Sequence, residues 1–158
     1  WANGYSASGT ATAPIVYVNY GLHEDYRVLD SLGISLQGKI AIARYGRSYR
    51  GIKAMLAEQH GAVGLIIYSD PSGDGFVSGD VFPNGPMRGA DAVQRGSIWN
   101  GHGDPTTPGY ASVAGAKRLP LDSIAGLPHI PVIPVSYGIA GELLANPVIE
   151  DYQLQIEA

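Results

Sequence analysis

The chain of 158 residues contains no cysteine, which excludes disulfide bonds and metal sites built on thiolates. This absence does not by itself define a compartment, because many secreted proteins also lack cysteine. Long apolar runs are missing too: none approaches the roughly 18 residues that a membrane helix needs. No charged and then apolar leader opens the chain. We therefore expect neither a membrane span nor a signal peptide in this segment, and no membrane contact.

Charge is also scarce. Only 15% of the residues are charged, and ten lysines and arginines face 14 aspartates and glutamates, which gives a formal net charge of -4. Without a basic run or an excess of positive charge, the sequence argues against a nucleic-acid or anionic-membrane partner and leaves small molecules or proteins. The hydrophobic share of 45% is typical of one globular domain with a buried core.

Two apolar runs, residues 39–43 and 64–68, organise the chain. Neither run alternates with polar residues, which indicates strands buried on both faces. The segment between them has helical spacing over residues 51–60 and is long enough for the crossover that a parallel pair requires. The stretch predicts strand, crossover and parallel strand, the unit of an α/β fold.

Further elements flank this unit. We expect a linker over residues 1–14, rich in glycine, alanine, serine and threonine, and one domain over residues 15–158. That domain should open with a strand at 15–20 and a helix at 23–32, which Gly33 ends in a left-handed conformation.

The C-terminal part predicts three more elements. Residues 130–135 form a strand whose two prolines place it at an edge or a bulge. Ser136 then caps a helix with a buried face built from Ile139 with Leu143 and Ala140 with Leu144, and residues 152–156 alternate as a half-buried strand does. Between residues 70 and 130 periodicity nearly vanishes. A compact domain rarely carries so long an irregular segment without a function.

Four cations at three-residue intervals follow the first central strand: Arg44, Arg47, Arg50 and Lys53. Together they predict a local positive field at which an anion or carboxylate could dock. Arg50 is the strongest candidate, because a guanidinium can bind a carboxylate through two parallel hydrogen bonds. A solvated cation at the start of a helix is the alternative, and the residues alone leave both open.

Evidence for metal or nucleophilic chemistry is weak. Residues 103–110 contain two prolines that hold carbonyl, hydroxyl and carboxylate oxygens in a rigid turn, which suits calcium but also describes an ordinary rigid loop. The nearest pair of transition-metal ligands, His102 and Asp104, is too small a set, since tetrahedral zinc takes three or four. No G-x-S-x-G nucleophile motif occurs. The polar run 94–97 is uninformative alone.

Taken in order, several of these segments resemble the protease-associated domain of the glutamate carboxypeptidase II family of zinc peptidases, which also includes transferrin receptor. The resemblance runs from about Ile15 to Leu144. Its most specific motifs are Gln-Arg-Gly at 94–96 and Gly-Asp-Pro-x-Thr-Pro-Gly-Tyr at 103–110; others are Gly-Lys-Ile-Ala-Ile-Ala-Arg-Tyr-Gly at 38–46, Arg-Gly at 50–51 and Tyr-Ser-Asp-Pro at 68–71. Residues 146–158 depart from the family pattern.

The resemblance implies a swivelling β/β/α fold, in which a β-sandwich or barrel-like core carries flanking helices and covers a catalytic cleft. It implies that Arg50 contacts the terminal carboxylate of a peptide substrate and that Thr107 and Tyr110 help to hold a calcium ion shared with the catalytic domain. Ser97 takes the place of a family asparagine that contacts a glutamate side chain, so strict glutamate selectivity is not expected, because a hydroxyl reaches less far than an amide.

The zinc ligands and general base of that family lie outside these residues, so we expect no hydrolysis by this chain alone. The implied partners are a catalytic peptidase domain of the same polypeptide and a peptide substrate. The implied location is extracellular, at the cell surface or in the secretory lumen. The alternative is a protein-binding or peptide-binding module, of the transferrin-receptor or sorting type.

Overall fold

The computed structural model describes residues 2–145 and the backbone of residues 152–156. The described residues form six strands and three α-helices: β1 (Gly9–Ala13), β2 (Ile15–Tyr17), α1 (His23–Ser31), β3 (Ile40–Arg44), α2 (Arg50–Gln59), β4 (Gly64–Tyr68), β5 (Val132–Val135), α3 (Tyr137–Ala145) and β6 (Tyr152–Ile156). A short 3₁₀ helix spans Leu121–Ser123.

A four-stranded parallel sheet in the order β2-β3-β4-β5 forms the centre of the molecule. Its middle pair places Ile40 opposite Gly64 and Arg44 opposite Tyr68, with α2 as the crossover between them. The prediction of strand, crossover and parallel strand is therefore confirmed, as is the α/β fold class. The β2 strand ends at Tyr17, earlier than predicted, because Asn19 adopts a left-handed conformation with φ of 52°.

The sheet is buried on both faces, and its residues alternate between two cores. On one face, Ala41, Ala43, Leu65 and Ile67 pack with the buried residues of α1 and α2. On the other face, Ile40, Ile42, Ile66 and Tyr68 pack with the buried residues of β1 and α3. Continuous apolar strands are what a sheet covered on both sides requires. The layers are thus α, β and β, in agreement with the implied β/β/α arrangement.

The C-terminal elements follow the prediction in part. The β5 strand lies at an edge of the sheet, as its prolines require, and the Ser136 hydroxyl accepts a hydrogen bond from the Ile139 amide at 3.4 Å, as an N-cap does. Ala140 and Leu143 are buried. Ile139 and Leu144 are exposed, contrary to the prediction, because this short helix turns only one narrow stripe toward the sheet.

Residues 9–13 differ from the predicted linker over 1–14. They form β1, which pairs antiparallel with β6, and Ala11 and Ala13 are buried against the parallel sheet. The partner strand comes from the far end of the sequence, so no local pattern signals this pairing. The small residues that suggested a linker allow the two β-layers to approach closely.

Residues 70–130 are largely irregular, as predicted, with only the 3₁₀ helix and isolated bridges among them. None of the described helices is long and apolar enough to cross a lipid bilayer.

Candidate functional site

A cleft of about 560 Å³ lies at the edge of the parallel sheet where β2, β3 and β4 end. Loops that leave these three strands line it, with residues 45–50, Tyr20, Asp70, Ser72, Gly73, Asp74 and Gln94. Open α/β sheets commonly bind ligands outside the carboxyl ends of their strands. The position of the cleft follows from the parallel topology.

Two arginines neutralise the carboxylates of this cleft. Arg44 Nη1 lies 3.0 Å from Asp70 Oδ2, and Arg88 Nε lies 2.6 Å from Asp74 Oδ2. Burial alone would raise the pKa of Asp70, but hydrogen bonds from Ser72 and the Arg44 guanidinium outweigh it and hold that pKa below its usual range. Each of these two carboxylates therefore already has an arginine partner within the cleft.

Arg47 and Arg50 have a different environment. Among the residues that the structure describes, neither guanidinium has a carboxylate within 4.0 Å. The Arg47 guanidinium lies over the Tyr20 ring, 4.7 Å from its centroid. The Arg47 backbone is left-handed, with φ of 61°, which is a strained conformation for an arginine. The cleft thus contains two cations without an anionic partner in the described chain.

The structure brings Arg50 and Ser97 together, although 47 positions separate them. Arg50 begins α2, and its Nη1 donates to the Ser97 carbonyl at 3.3 Å. Its guanidinium lies 5.7 Å from the centroid of the Tyr45 ring and 5.8 Å from that of the Tyr49 ring. A Cβ atom at position 96 would collide with this guanidinium. Gly96 therefore allows the Gln-Arg-Gly segment to pack against Arg50.

Neighbouring hydrogen bonds hold this corner. The Tyr45 hydroxyl donates to the Gln94 carbonyl at 2.8 Å, and the Tyr49 hydroxyl donates to the Ser97 carbonyl at 2.6 Å. Burial raises the pKa of Tyr45, and the nearby Arg50 charge opposes that shift. The Ser97 hydroxyl accepts from the Trp99 amide at 3.1 Å. Arg50 Nε is buried without a hydrogen-bond partner in the described chain.

Lys53 does not contribute to the exposed positive field that the sequence predicted. Its side chain is fully buried, because it lies three positions before Leu56 and four before Ala57 on the inner face of α2. Arg44 is paired with Asp70. The field of four cations is therefore reduced to Arg47 and Arg50.

The predicted calcium residues share one turn. The Thr107 amide donates to the Asp104 carbonyl at 3.1 Å, and the Tyr110 amide donates to the Thr107 carbonyl at 3.3 Å. The Thr107 hydroxyl is buried without a partner in the described chain, whereas the Tyr110 hydroxyl donates to the Lys117 carbonyl. Ser112, Thr106 and Arg118 all donate to the Asp104 carboxylate, and these bonds lower its pKa.

This turn fits a calcium ion only in part. The buried Thr107 hydroxyl is an oxygen in need of a partner, but Asp104 already binds Arg118. Calcium takes about six to eight oxygen ligands, so most of them would come from outside the chain. Across the described residues, no group of three or more histidine and acidic side chains is arranged to hold a metal ion.

Several residues of the site were not predicted. Tyr45 and Tyr49 lie in the loop directly before Arg50, whereas Asn100 comes from a distant segment, and its side-chain amide donates to the Gly51 carbonyl at 2.8 Å. No periodicity links such positions. Lys53 could have been found, because its spacing to the apolar residues of α2 places it on the buried face.

The model of the PA domain family matches residues 11–140 of this chain. The chain is similar to a glutamate carboxypeptidase 2 homolog of Caenorhabditis briggsae, with 41% identity over 147 residues that cover 89% of this chain and 19% of that protein. Aminopeptidase NAALADL1 of Rattus norvegicus is 39% identical over 145 residues, which cover 90% of this chain and 20% of that protein. The chain thus spans about a fifth of the length of these relatives.

Solved structures show the same fold. A zinc aminopeptidase from Bacillus subtilis aligns with all of this chain and 27% of its own, with a TM-score of 0.57 and 19% identity. An aminopeptidase from Aneurinibacillus sp. strain AM-1 aligns with 92% of this chain, with a TM-score of 0.53 and 21% identity. Together with the family model and the relatives, these findings establish that the chain belongs to the PA domain family, in the form found in glutamate carboxypeptidase-like proteins.

Proposed function

We propose that this domain is the non-catalytic lid of a zinc-dependent carboxypeptidase-like enzyme and that Arg50 binds the C-terminal carboxylate of its peptide substrate. The observation that carries the proposal is the pair of guanidiniums, Arg47 and Arg50, that have no carboxylate partner among the described residues, in a cleft where Asp70 and Asp74 are each paired with another arginine. An anionic group of a ligand would pair with these two guanidiniums. The limited share of the relatives that the chain spans supports an accessory role.

The chemistry of Arg50 suits this task. One Nη1 proton is engaged by the Ser97 carbonyl, and a guanidinium has five N–H donors, so others remain for a carboxylate. The neighbouring rings of Tyr45 and Tyr49 limit the rotation of the guanidinium. A restrained guanidinium loses less conformational entropy on binding than a freely rotating one. The domain would thus recognise substrate and close the cleft without taking part in bond cleavage.

Ser97 would widen the substrate range. Its hydroxyl is shorter than an amide and is held at the Trp99 amide, so we expect the site to accept C-terminal residues besides glutamate. Zinc would be held by the catalytic domain and would supply the hydrolytic chemistry there. Thr107 and Tyr110 would contribute to a calcium site at the domain boundary. An extracellular location stays a prediction from the resemblance.

The proposal is tested with the full-length enzyme and matched peptides with free and amidated C-termini. Hydrogen bonds to charged groups contribute about 1.5–3 kcal/mol, so Arg50→Ala should lower kcat/KM for the free peptide by about ten- to a hundredfold. Arg50→Lys should recover only part of the loss, because an ammonium lacks the planar fork of donors.

The control is Arg27→Ala, which removes an exposed arginine from α1 and should leave kcat/KM unchanged. Amidated peptide should respond little to Arg50→Ala. An equal loss for free and amidated peptides would show that Arg50 does not contact the carboxylate.

A further inference from the structure

Lys53 is the only charged side chain that is buried among the residues that the structure describes. It lies on α2, one turn after Arg50, and its relative exposure is 0%. Burial of a charged group is costly unless specific partners compensate for it. Its partners therefore deserve an explanation that hydrophobic packing does not provide.

Those partners are two backbone carbonyls from different loops of the cleft. Lys53 Nζ donates to the Tyr20 carbonyl at 2.6 Å and to the Gly46 carbonyl at 2.8 Å. Tyr20 follows β2, and Gly46 follows β3. Lys53 therefore ties the loops after two adjacent strands to the helix that begins with Arg50.

The loop after β3 has little regular structure to hold it. Gly46 and Arg47 have φ values of 109° and 61°, so neither has a helical or extended backbone. The Tyr20 ring lies beneath two guanidiniums, 4.1 Å from that of Arg44 and 4.7 Å from that of Arg47. Fixing the Tyr20 and Gly46 backbones consequently fixes the surface on which the arginines lie.

Stability alone does not account for a lysine at this position. Burying a charge costs desolvation free energy that an apolar side chain of similar volume does not, so packing alone does not require a lysine here. A neutral amine also retains two N–H donors, the number of carbonyls that Lys53 contacts. The tie between the loops and α2 can therefore persist whether or not the amine is protonated.

We infer that Lys53 is a positioning residue, which holds the Tyr20 and β3–α2 loops so that Arg47 and Arg50 face the cleft together. This inference rests on the proposed function of Arg50 and extends it to a residue that does not touch the ligand. Loss of the two hydrogen bonds should release the loop and weaken carboxylate binding, while the catalytic step on bound substrate stays intact.

The test compares Lys53→Met with Lys39→Met in the full-length enzyme. Lys39 lies before β3, at the opposite end of that strand from the cleft, so its variant should behave as wild type. For a peptide with a free C-terminus, Lys53→Met should raise KM by about tenfold, the effect of losing one or two hydrogen bonds. The kcat value should change by less than about twofold, since uniform binding is what is lost.

Hydrogen exchange provides a readout that does not depend on activity. Amides of residues 44–50 should exchange faster in Lys53→Met than in wild type or Lys39→Met, measured by mass spectrometry on peptides from the full-length protein. Lys53→Gln keeps two amide donors on a side chain one atom shorter. Its KM should fall between those of wild type and Lys53→Met, and this ranking remains informative if Lys53→Met folds poorly.

Two outcomes overturn the inference. The first is an unchanged KM in Lys53→Met, whether or not its amides exchange faster. The second is a fall in kcat alone, which would report a smaller fraction of folded protein. Arg50→Ala, measured in parallel, separates this failure from that of the proposed function. If Arg50→Ala affects free and amidated peptides equally, the carboxylate site itself is wrong and the positioning role falls with it. If only the Lys53 variants fail to respond, Arg50 stands and Lys53 is a structural lysine.

Discussion

A buried lysine such as Lys53 can lower the stability of the fold and still position the loops of the binding site. Desolvation by burial lowers its pKa to about 8; the Asp25 charge opposes this shift, and the Arg44 charge adds to it. In the unfolded chain the same amine titrates near its ordinary pKa of about 10.4. The folded state therefore releases this proton at a lower pH than the unfolded state.

The sign of the pH dependence follows. Between about pH 8 and 10.4 the unfolded state binds more protons than the folded state, so the contribution of Lys53 to the free energy of unfolding rises with pH. Below about pH 8 the amine is protonated in both states, and this contribution stays at its lowest value. Relative to Lys53→Met, wild type should gain at most about 3 kcal/mol between pH 7 and pH 10.5. Urea titrations of the 158-residue chain measure this difference. A difference that does not vary with pH would mean that the buried amine titrates normally.

Individual elements differ in how much of them local sequence can predict. The β3-α2-β4 unit followed from two apolar runs and one helical pattern, because each element has a period that short-range physics imposes. The β1 strand did not, because its partner β6 lies at the other end of the sequence and its residues are small. Arg50 was a candidate carboxylate-binding residue because of its residue type and its position in the sequence. Its packing against Gly96 and its hydrogen bond to the Ser97 carbonyl depend on long-range contacts.

The same contrast predicts unequal protection of backbone amides. The amides of residues 40–43 and 65–67 lie in buried central strands and should exchange slowly, whereas most amides of residues 73–115 should exchange fast. Ile98 should be an exception, because it is fully buried and its amide donates to the Gly4 carbonyl at 3.0 Å. Exchange mass spectrometry of the 158-residue chain can test this. Equal protection of both regions would contradict the assignment of residues 73–115 as loops suited to a lid.

At the scale of the whole molecule, the layered core and the candidate binding sites differ in whether they need groups from outside the chain. The three layers bury both faces of the central sheet within the described chain, so we expect the domain to fold alone. The sites are open: within the part of the chain that the structure describes, Arg47 and Arg50 have no carboxylate partner and the Thr107 hydroxyl has no hydrogen-bond partner. A domain that spans about a fifth of its relatives would meet those partners when the rest of the polypeptide is present.

Calcium binding tests this dependence on the neighbouring domain. Thr107 and Tyr110 supply too few oxygens for a coordination shell of about six to eight, and Asp104 is engaged by Arg118, so the isolated chain should bind calcium weakly or not at all. The full-length protein should bind it more tightly, and Thr107→Val, which keeps the side-chain volume but removes a hydroxyl that has no partner among the described residues, should weaken that binding. Thr12→Val in β1 is the matched control. Calorimetry on both proteins gives the comparison, and micromolar affinity in the isolated chain would show that the site is not shared between domains.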